Sequence, residues 1–232
     1  MIFFLLGAIY YLQKANSEVS KNWFFILSAI CFALSVASKL LPLMFLPFLI
    51  YPLDWKRSFQ YFTIVGLVVL FLFLPLLSGV FFSNFGESLD LYFRRFEFNA
   101  SLYYLFRWIG FQFSGYNMIA SIGPMLAVLA FTGILILTFY NKNKSLQRVP
   151  LFWMWAICLY LACTTTVHPW YTALPVVLCL FTRFRFPILW SGLIFLTYIN
   201  YSYGEYFANM WVVGIEYSLV FGYFIWELKK SE

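Results

Sequence analysis

The sequence predicts an all-α integral membrane protein, a multi-pass bundle of about eight transmembrane helices. Hydrophobic residues make up 63% of the 232 positions and charged residues only 10%, whereas a soluble domain is roughly half apolar and about a quarter charged. The chain also holds 30 Phe, 17 Tyr and 9 Trp. Lipid and its interface accept that much aromatic surface, and one aqueous core does not. Because every backbone amide in lipid needs an internal partner, the spans are predicted to be helices.

Apolar runs separated by short polar turns predict where these helices lie. A spanning helix needs roughly 20 residues to cross about 30 Å of hydrocarbon. No internal linker interrupts the runs, so residues 1–232 are predicted to form a single transmembrane bundle. The runs are Met1–Leu12, Asn22–Ser38, Leu40–Tyr51, Gln60–Ser78, Met118–Tyr140, Leu151–Cys163, Trp170–Thr182, Pro187–Tyr203 and Asn209–Trp226.

The basic residues predict the orientation of the bundle. Most Lys and Arg fall in alternate turns, and such an excess marks the cytoplasmic side of a membrane protein. The turn Asn141–Val149 and the C-terminus are therefore predicted to be cytoplasmic. The basic residues that give the chain its net charge of +6 lie in these turns and not along one polar face. Nucleic acid is therefore excluded as a partner.

Two hairpins are too short to cross the bilayer in full. Leu40–Tyr51 would be about 18 Å of helix, and we favour a turn near Lys39 over one long helix from Asn22 to Tyr51. A similar pair of short runs turns at His168. Each turn has a basic-type residue followed by a proline, and helices that stop short leave a water-accessible cavity. We expect Lys39 and His168 in one cavity on the outer side.

One long segment, Gly79–Asn117, connects the spans on the outer side. Its middle, Phe98–Ile109, has apolar residues at helical spacing, which predicts an interfacial helix on the outer leaflet. Arg94, Arg95 and Arg107 surround it.

Few residues are suited to chemistry. His168 is the only histidine, and histidine is the residue type whose unperturbed pKa suits proton transfer near neutrality, although a turn histidine can also be satisfied by backbone or water. Lys39 either reaches the interface or meets a phosphate. Glu216, inside an apolar run, must face the bundle, either protonated or bonded to a Tyr or Asn. The four cysteines are predicted to be small buried residues. No metal site and no cofactor are predicted.

Three short motifs, in order along the chain, resemble the type C membrane glycosyltransferases. They are closest to the bacterial mannosyltransferases that use polyprenyl-phosphate mannose. The motifs are Ala37–Pro47 with its Lys-x-x-Pro, Phe98–Leu105 in the large outer loop, and Thr166–Tyr171 followed by Leu174 and Pro175.

This resemblance implies transfer of a sugar from a polyprenyl-phosphate carrier to a glycan or lipid acceptor on the outer face. It implies a multi-pass protein of the bacterial cytoplasmic membrane. Lys39 would contact the carrier phosphate, with Arg94 and Arg95 as secondary contacts. His168 would orient or protonate a group at the transfer site, beside Tyr171 as a substrate contact.

The sequence departs from the family in one respect. The family's catalytic Asp lies in a first outer loop, but here only Met1–Leu12 precedes the lysine segment, and it contains no acid. That run resembles a truncated helix, so we expect an upstream-encoded membrane half. The outer acids available as substitutes are Glu87, Asp90, Glu97 and Glu205, with Glu97, beside Arg95, the best of them as a catalytic base.

Two other classes of function remain open. A transporter or flippase of lipid-linked sugars would also have short, proline-broken helices around a site at mid-membrane depth. A non-catalytic membrane subunit would leave His168 and Lys39 replaceable.

Overall fold

A computed structural model describes residues 1–17, 21–142, 144–201 and 209–230 of the chain. Within these ranges the fold is helical, and the only extended pairing is an isolated parallel bridge between Phe98 and Thr166. The α-helices are α1 (Ile2–Ser17), α2 (Lys21–Ser38), α3 (Ile50–Phe73), α4 (Gly79–Arg94), α5 (Leu102–Ser114), α6 (Ile119–Asn141), α7 (Val149–Cys163), α8 (Ala173–Cys179), α9 (Phe186–Leu193) and α10 (Met210–Lys229).

Short 3₁₀ helices connect or extend several of these elements. Two of them, Leu41–Leu49 and Pro169–Thr172, lie at the predicted outer turns. Each has a proline in its first turn, where the missing N–H of proline costs no helical hydrogen bond. They are the ones that descend after Lys39 and His168, as the sequence predicts for short, proline-broken hairpins. The 3₁₀ helices are Leu41–Leu49, Leu74–Leu76, Leu146–Arg148, Pro169–Thr172 and Ile194–Tyr201.

Four helical stretches of the described chain are long and apolar enough to cross a membrane. The first is not one rod, because Asp54 has φ 62° and ψ 161° and breaks it. Side chains on the segment after this break, such as Leu67 and Phe71, expose 61% and 74% of their surface, as expected of a face that meets lipid. The prediction of about eight spans stays a prediction. The four stretches are Leu41–Leu76, Ile119–Tyr140, Leu146–Cys163 and Met210–Lys229.

The chain divides into two compact units. Unit 1 comprises residues 1–84 and 134–156, and unit 2 comprises residues 85–133 and 157–232. That they form the single predicted bundle stays a prediction.

Unit 1 is held together by small residues and buried aromatic rings. Ser28 Oγ donates a hydrogen bond to Ala8 O at 2.7 Å and lies 2.9 Å from Tyr61 Oη, so one hydroxyl joins α1, α2 and α3. In the same unit the Trp153 ring stacks on Phe45 with centroids 5.1 Å apart. Small residues let helices approach closely in lipid, where packing replaces the hydrophobic effect as the driving force.

The interfacial helix differs from the sequence prediction at both ends. It was predicted from Phe98 to Ile109, but α5 runs from Leu102 to Ser114. Phe98 pairs with Thr166 instead of joining the helix. The C-terminal end is set by Gly115, whose φ of 74° is the left-handed conformation that glycine adopts freely.

The first helix also extends further than predicted. The apolar run ends at Leu12, yet α1 continues to Ser17. Its last residues include Gln13 and Lys14, which end the apolar pattern but favour helix. The break between Asn22 and Tyr51 occurs where predicted, since α2 ends at Ser38 and the 3₁₀ helix starts at Leu41.

We predict that the segment between α3 and α6, which contains α4 and α5, lies outside the cell and that the α6–α7 turn lies inside. Cysteines introduced singly at Ser83 and Lys144, which are both exposed, should react with an impermeant maleimide from opposite sides of the membrane. The reason is the Lys and Arg excess of the α6–α7 turn. The unsubstituted chain gives the background of the four native thiols, and labelling of both positions from outside intact cells would contradict this topology.

Candidate functional site

Two of the motif segments meet in unit 2. The backbone N–H of Phe98 donates to Thr165 O at 3.0 Å, and the N–H of Val167 donates to Phe98 O at 2.7 Å. Thr166 Oγ1 adds a bond of 3.3 Å to Phe96 O. The outer-loop motif and the His-Pro motif, distant in sequence, are thus joined by backbone hydrogen bonds.

Asn99 gives the segment that follows Phe98 its shape. Its φ is 45°, a left-handed conformation that Asn tolerates better than most residues. Its side-chain Nδ2 donates to both carboxyl oxygens of Glu216 at 3.2 and 3.1 Å, and Tyr217 Oη donates to Asn99 O at 2.7 Å. Helix α10 therefore fixes the residue that follows Phe98.

Glu216 is fully buried. It faces the interior and pairs with an Asn, as the sequence predicted. Trp190 Nε1 donates to its Oε1 at 3.0 Å. Among the described residues no salt bridge reaches this carboxyl group. These hydrogen bonds give Glu216 a structural role, because they join α9 and α10 to Asn99.

His168 lies in a group of aromatic rings that we name the aromatic cluster, consisting of His168, Phe96, Phe98, Trp170 and Tyr171. The imidazole stacks on the Trp170 indole with centroids 4.4 Å apart and planes at 14°. Phe98 is 4.7 Å away, Tyr171 5.5 Å and Phe96 6.2 Å, centroid to centroid. His168 is half-buried, whereas Trp170 exposes 61% of its surface. The His168 imidazole, with its ring nitrogens, thus lies beside the exposed indole of Trp170.

The local sequence explains the orientation of His168. It precedes Pro169, which favours extended backbone, and its φ and ψ are −81° and 153°. Thr172 Oγ1 then donates to Pro169 O at 2.7 Å and closes the 3₁₀ turn that carries Trp170 and Tyr171.

Glu97 is engaged by three donors. It accepts hydrogen bonds from Tyr103 Oη, from Arg107 Nη1 and, at 3.1 Å, from Asn117 Nδ2. Its arginine partner is therefore Arg107 and not Arg95. Burial, followed by the hydrogen bond to Glu97, raises the pKa of Tyr103, so that phenol stays a neutral donor. Three donors already occupy this carboxylate, and its predicted role in catalysis stays a prediction.

Arg94 and Arg95 both pair with one acid. Their guanidinium groups lie 3.2 and 2.8 Å from the two carboxyl oxygens of Asp90. Both arginines are exposed, and such ion pairs are weak enough for a phosphate to displace them. Lys39 lies in unit 1 and His168 in unit 2, so their common cavity stays a prediction. Glu205 lies outside the described residues.

No group of three or more His, Cys, Asp or Glu side chains that could hold a metal ion occurs in the part of the chain that the structure describes. All four cysteines lie within that part and are free thiols, half-buried or buried.

Sequence reasoning missed three members of this arrangement. Asn99, Phe98 and Trp170 were not proposed as site residues. A local signal existed for Trp170, because it directly follows His-Pro, and a Trp at a membrane interface is a common anchor or contact. Nothing local indicates that Phe98 would pair with Thr166.

Comparison with family models, curated proteins and solved structures finds no match. The functional argument therefore depends on the geometry of this chain and on its motifs.

Proposed function

We propose that the protein is a membrane glycosyltransferase, a mannosyltransferase by its motifs, that moves a sugar from a polyprenyl-phosphate carrier to a glycan or lipid acceptor on the outer face. The observation that carries the proposal is the backbone pairing of Phe98 with Thr165 and Val167. Two motifs of the resemblance thereby contribute to one cluster around His168.

The aromatic cluster suits a ligand with both an apolar face and hydroxyl groups. Aromatic side chains provide large apolar contact surfaces, and the polar tips of Tyr and His orient a bound molecule. A sugar ring has such a face, and its isoprenoid carrier is apolar throughout. The open face of Trp170 offers the contact surface, and His168 and Tyr171 offer the polar groups.

The reaction needs one bond formed and one broken. The acceptor hydroxyl oxygen bonds to the anomeric carbon of the sugar, and the bond from that carbon to the phosphate oxygen breaks. The phosphate leaves with the electron pair, and the hydroxyl proton passes to a base. His168 is suited to hold or deliver a proton at this point because imidazole titrates near neutral pH.

We predict that His168 is required for transfer and not only for packing. In membranes containing the full chain, His168→Ala and His168→Phe should lower the transfer of labelled mannose from polyprenyl-phosphate mannose by about 100-fold or more, the range of general acid–base catalysis. His168→Phe keeps an aromatic ring in the cluster and removes only the nitrogens. Phe113→Ala, an exposed aromatic of the outer segment, is the matched control and should leave transfer unchanged.

A second experiment measures binding of the carrier independently of sugar transfer. A polyprenyl phosphate bearing a diazirine should crosslink to the wild-type chain, and crosslinking should fall in Trp170→Ala but not in Phe113→Ala. Wild-type transfer by His168→Phe would exclude the proton role. Absence of both transfer and crosslinking in the wild type would overturn the proposal.

A transporter of lipid-linked sugars is the second candidate, favoured by the 3₁₀ segments that follow Lys39 and His168. Interrupted helices are typical of transporter binding sites. Movement of the labelled carrier across vesicle membranes without glycosylated product would support this function over the transferase. A chain that neither transfers nor moves the carrier would fit the non-catalytic subunit.

A further inference from the structure

A pocket lies in unit 2, at the end that the basic residues predict to be cytoplasmic. It has a volume of about 350 Å³ and opens to the surface. We name it the basic pocket, and its lining is rich in cationic and aromatic side chains. They are Arg183, Phe184, Arg185, Tyr223, Trp226, Glu227 and Lys230.

Two of the charged residues in this pocket have structural roles. Arg185 Nη1 donates to the carbonyl oxygens of Cys179, Thr182 and Phe184 at 3.0, 2.7 and 2.9 Å. It therefore satisfies carbonyl groups after the end of α8. The Glu227 carboxylate accepts the backbone N–H groups of Arg185 and Phe186 at 2.7–3.0 Å. It therefore satisfies donors at the start of α9, where an anion is also favoured by the helix dipole.

The other two charged residues of the pocket, Arg183 and Lys230, are cations that lie over aromatic rings. The Arg183 guanidinium carbon is 5.2 Å from the centroid of Phe184, and Lys230 Nζ is 5.1 Å from that of Trp226. Tyr223 stacks on Trp226 with centroids 5.3 Å apart. Cation–π contacts hold a charged group against an aromatic ring. The lining thus has three cations and one carboxylate, which is already bonded to backbone N–H groups.

We propose that the basic pocket binds a phosphate group, that of an anionic phospholipid headgroup, with Arg183 and Lys230 as the cationic contacts. Tyr and Trp prefer the headgroup level of a bilayer, and Tyr223 and Trp226 would border the glycerol and the first carbons of the acyl chains. Basic pockets at the cytoplasmic ends of membrane helices attract anionic lipids, and the cytoplasmic leaflet supplies them. This assignment is independent of the proposed transferase function.

The test measures lipid binding to the purified full chain in detergent micelles by native mass spectrometry. Short-chain phosphatidylglycerol should bind to the wild type, and phosphatidylcholine of the same chain length should bind far more weakly. The double variant Arg183→Gln/Lys230→Gln should lower the apparent affinity for phosphatidylglycerol by about 10-fold or more, as loss of two cations near a phosphate predicts. Lys142→Gln/Lys144→Gln, with the same loss of charge in a turn outside the pocket, should retain wild-type affinity.

Three outcomes would overturn the proposal. Equal binding of the two lipids would exclude recognition of the headgroup charge. An equal loss in both double variants would make the effect one of net charge and not of this pocket. Competition by inorganic phosphate at the concentration of the lipid would indicate a site for a free anion.

Trp226→Leu, which keeps the cations and removes the ring under Lys230, should weaken lipid binding with little change in the unfolding temperature, because Trp226 is 52% exposed.

Discussion

Replacing Glu216 by alanine is expected to destabilise unit 2 more than any exposed substitution. The change leaves Asn99 Nδ2 and Trp190 Nε1 buried without their acceptor, and a buried donor without a partner costs about 1–3 kcal/mol. Glu216→Gln should retain most of the stability, because its amide oxygen can still accept a hydrogen bond. Its NH₂ group could donate to Asn99 Oδ1, a buried oxygen with no hydrogen-bond partner among the described residues.

Unfolding of the purified chain by sodium dodecyl sulfate in mixed micelles measures this difference. Glu87→Ala on α4 is the matched control, because Glu87 is exposed and the same atoms are removed. If Glu216→Ala and Glu87→Ala unfold at the same detergent fraction, the network around Asn99 does not stabilise the unit. If Glu216→Gln is as unstable as the alanine variant, the negative charge and not the acceptor oxygen is needed.

Replacing Trp153 by alanine is expected to be equally severe in unit 1. Trp153 is fully buried, stacks on Phe45, meets the Phe32 ring edge-on with centroids 5.8 Å apart, and donates from Nε1 to Phe45 O at 3.1 Å. The expected loss is about 3 kcal/mol, the lower end of the range for buried Trp. The lower end applies because apolar surface released into lipid loses packing but little transfer free energy.

Two further variants separate the contributions to this loss. Trp153→Phe keeps a ring and removes only the N–H, so it should cost about 1 kcal/mol. Trp23→Ala removes a tryptophan of the same unit that is 61% exposed and should change the unfolding midpoint little. A loss at Trp23 equal to that at Trp153 would show that micelle contacts, not helix packing, determine the stability of this unit.

The helices of this protein were readable from its sequence because apolar runs and polar turns are local signals. The break between Tyr51 and Gln60 and the turns at Lys39 and His168 were predicted for that reason. Glu216 was predicted to face the interior because a carboxyl group in lipid has no partner. In each of these cases the free-energy cost of placing one polar group in lipid determines its position, so its partners need not be known.

The candidate site was less predictable, because its partners are distant in sequence. The apolar spacing of Phe98 fits a helix, yet its backbone bonds go to Thr165 and Val167. The pairing of Glu97 with Arg107 instead of Arg95 depends on where α5 begins. Helix α5 begins after Asn99, whose left-handed backbone no local pattern indicates.

The bridge between Phe98 and Thr166 has a consequence for biosynthesis. Because domains assemble as the chain is made, N-terminal part first, Phe98 leaves the ribosome long before Thr166. If both segments are external, as the basic turns predict, the backbone groups of Phe98 remain hydrated until α7 has inserted and carried residues 164–168 across. Asn99 gains its carboxyl partner later still, with α10. The aromatic cluster thus forms only after α7 has inserted, and a chain stalled before α10 would carry the cluster without the helix that fixes the adjacent Asn99.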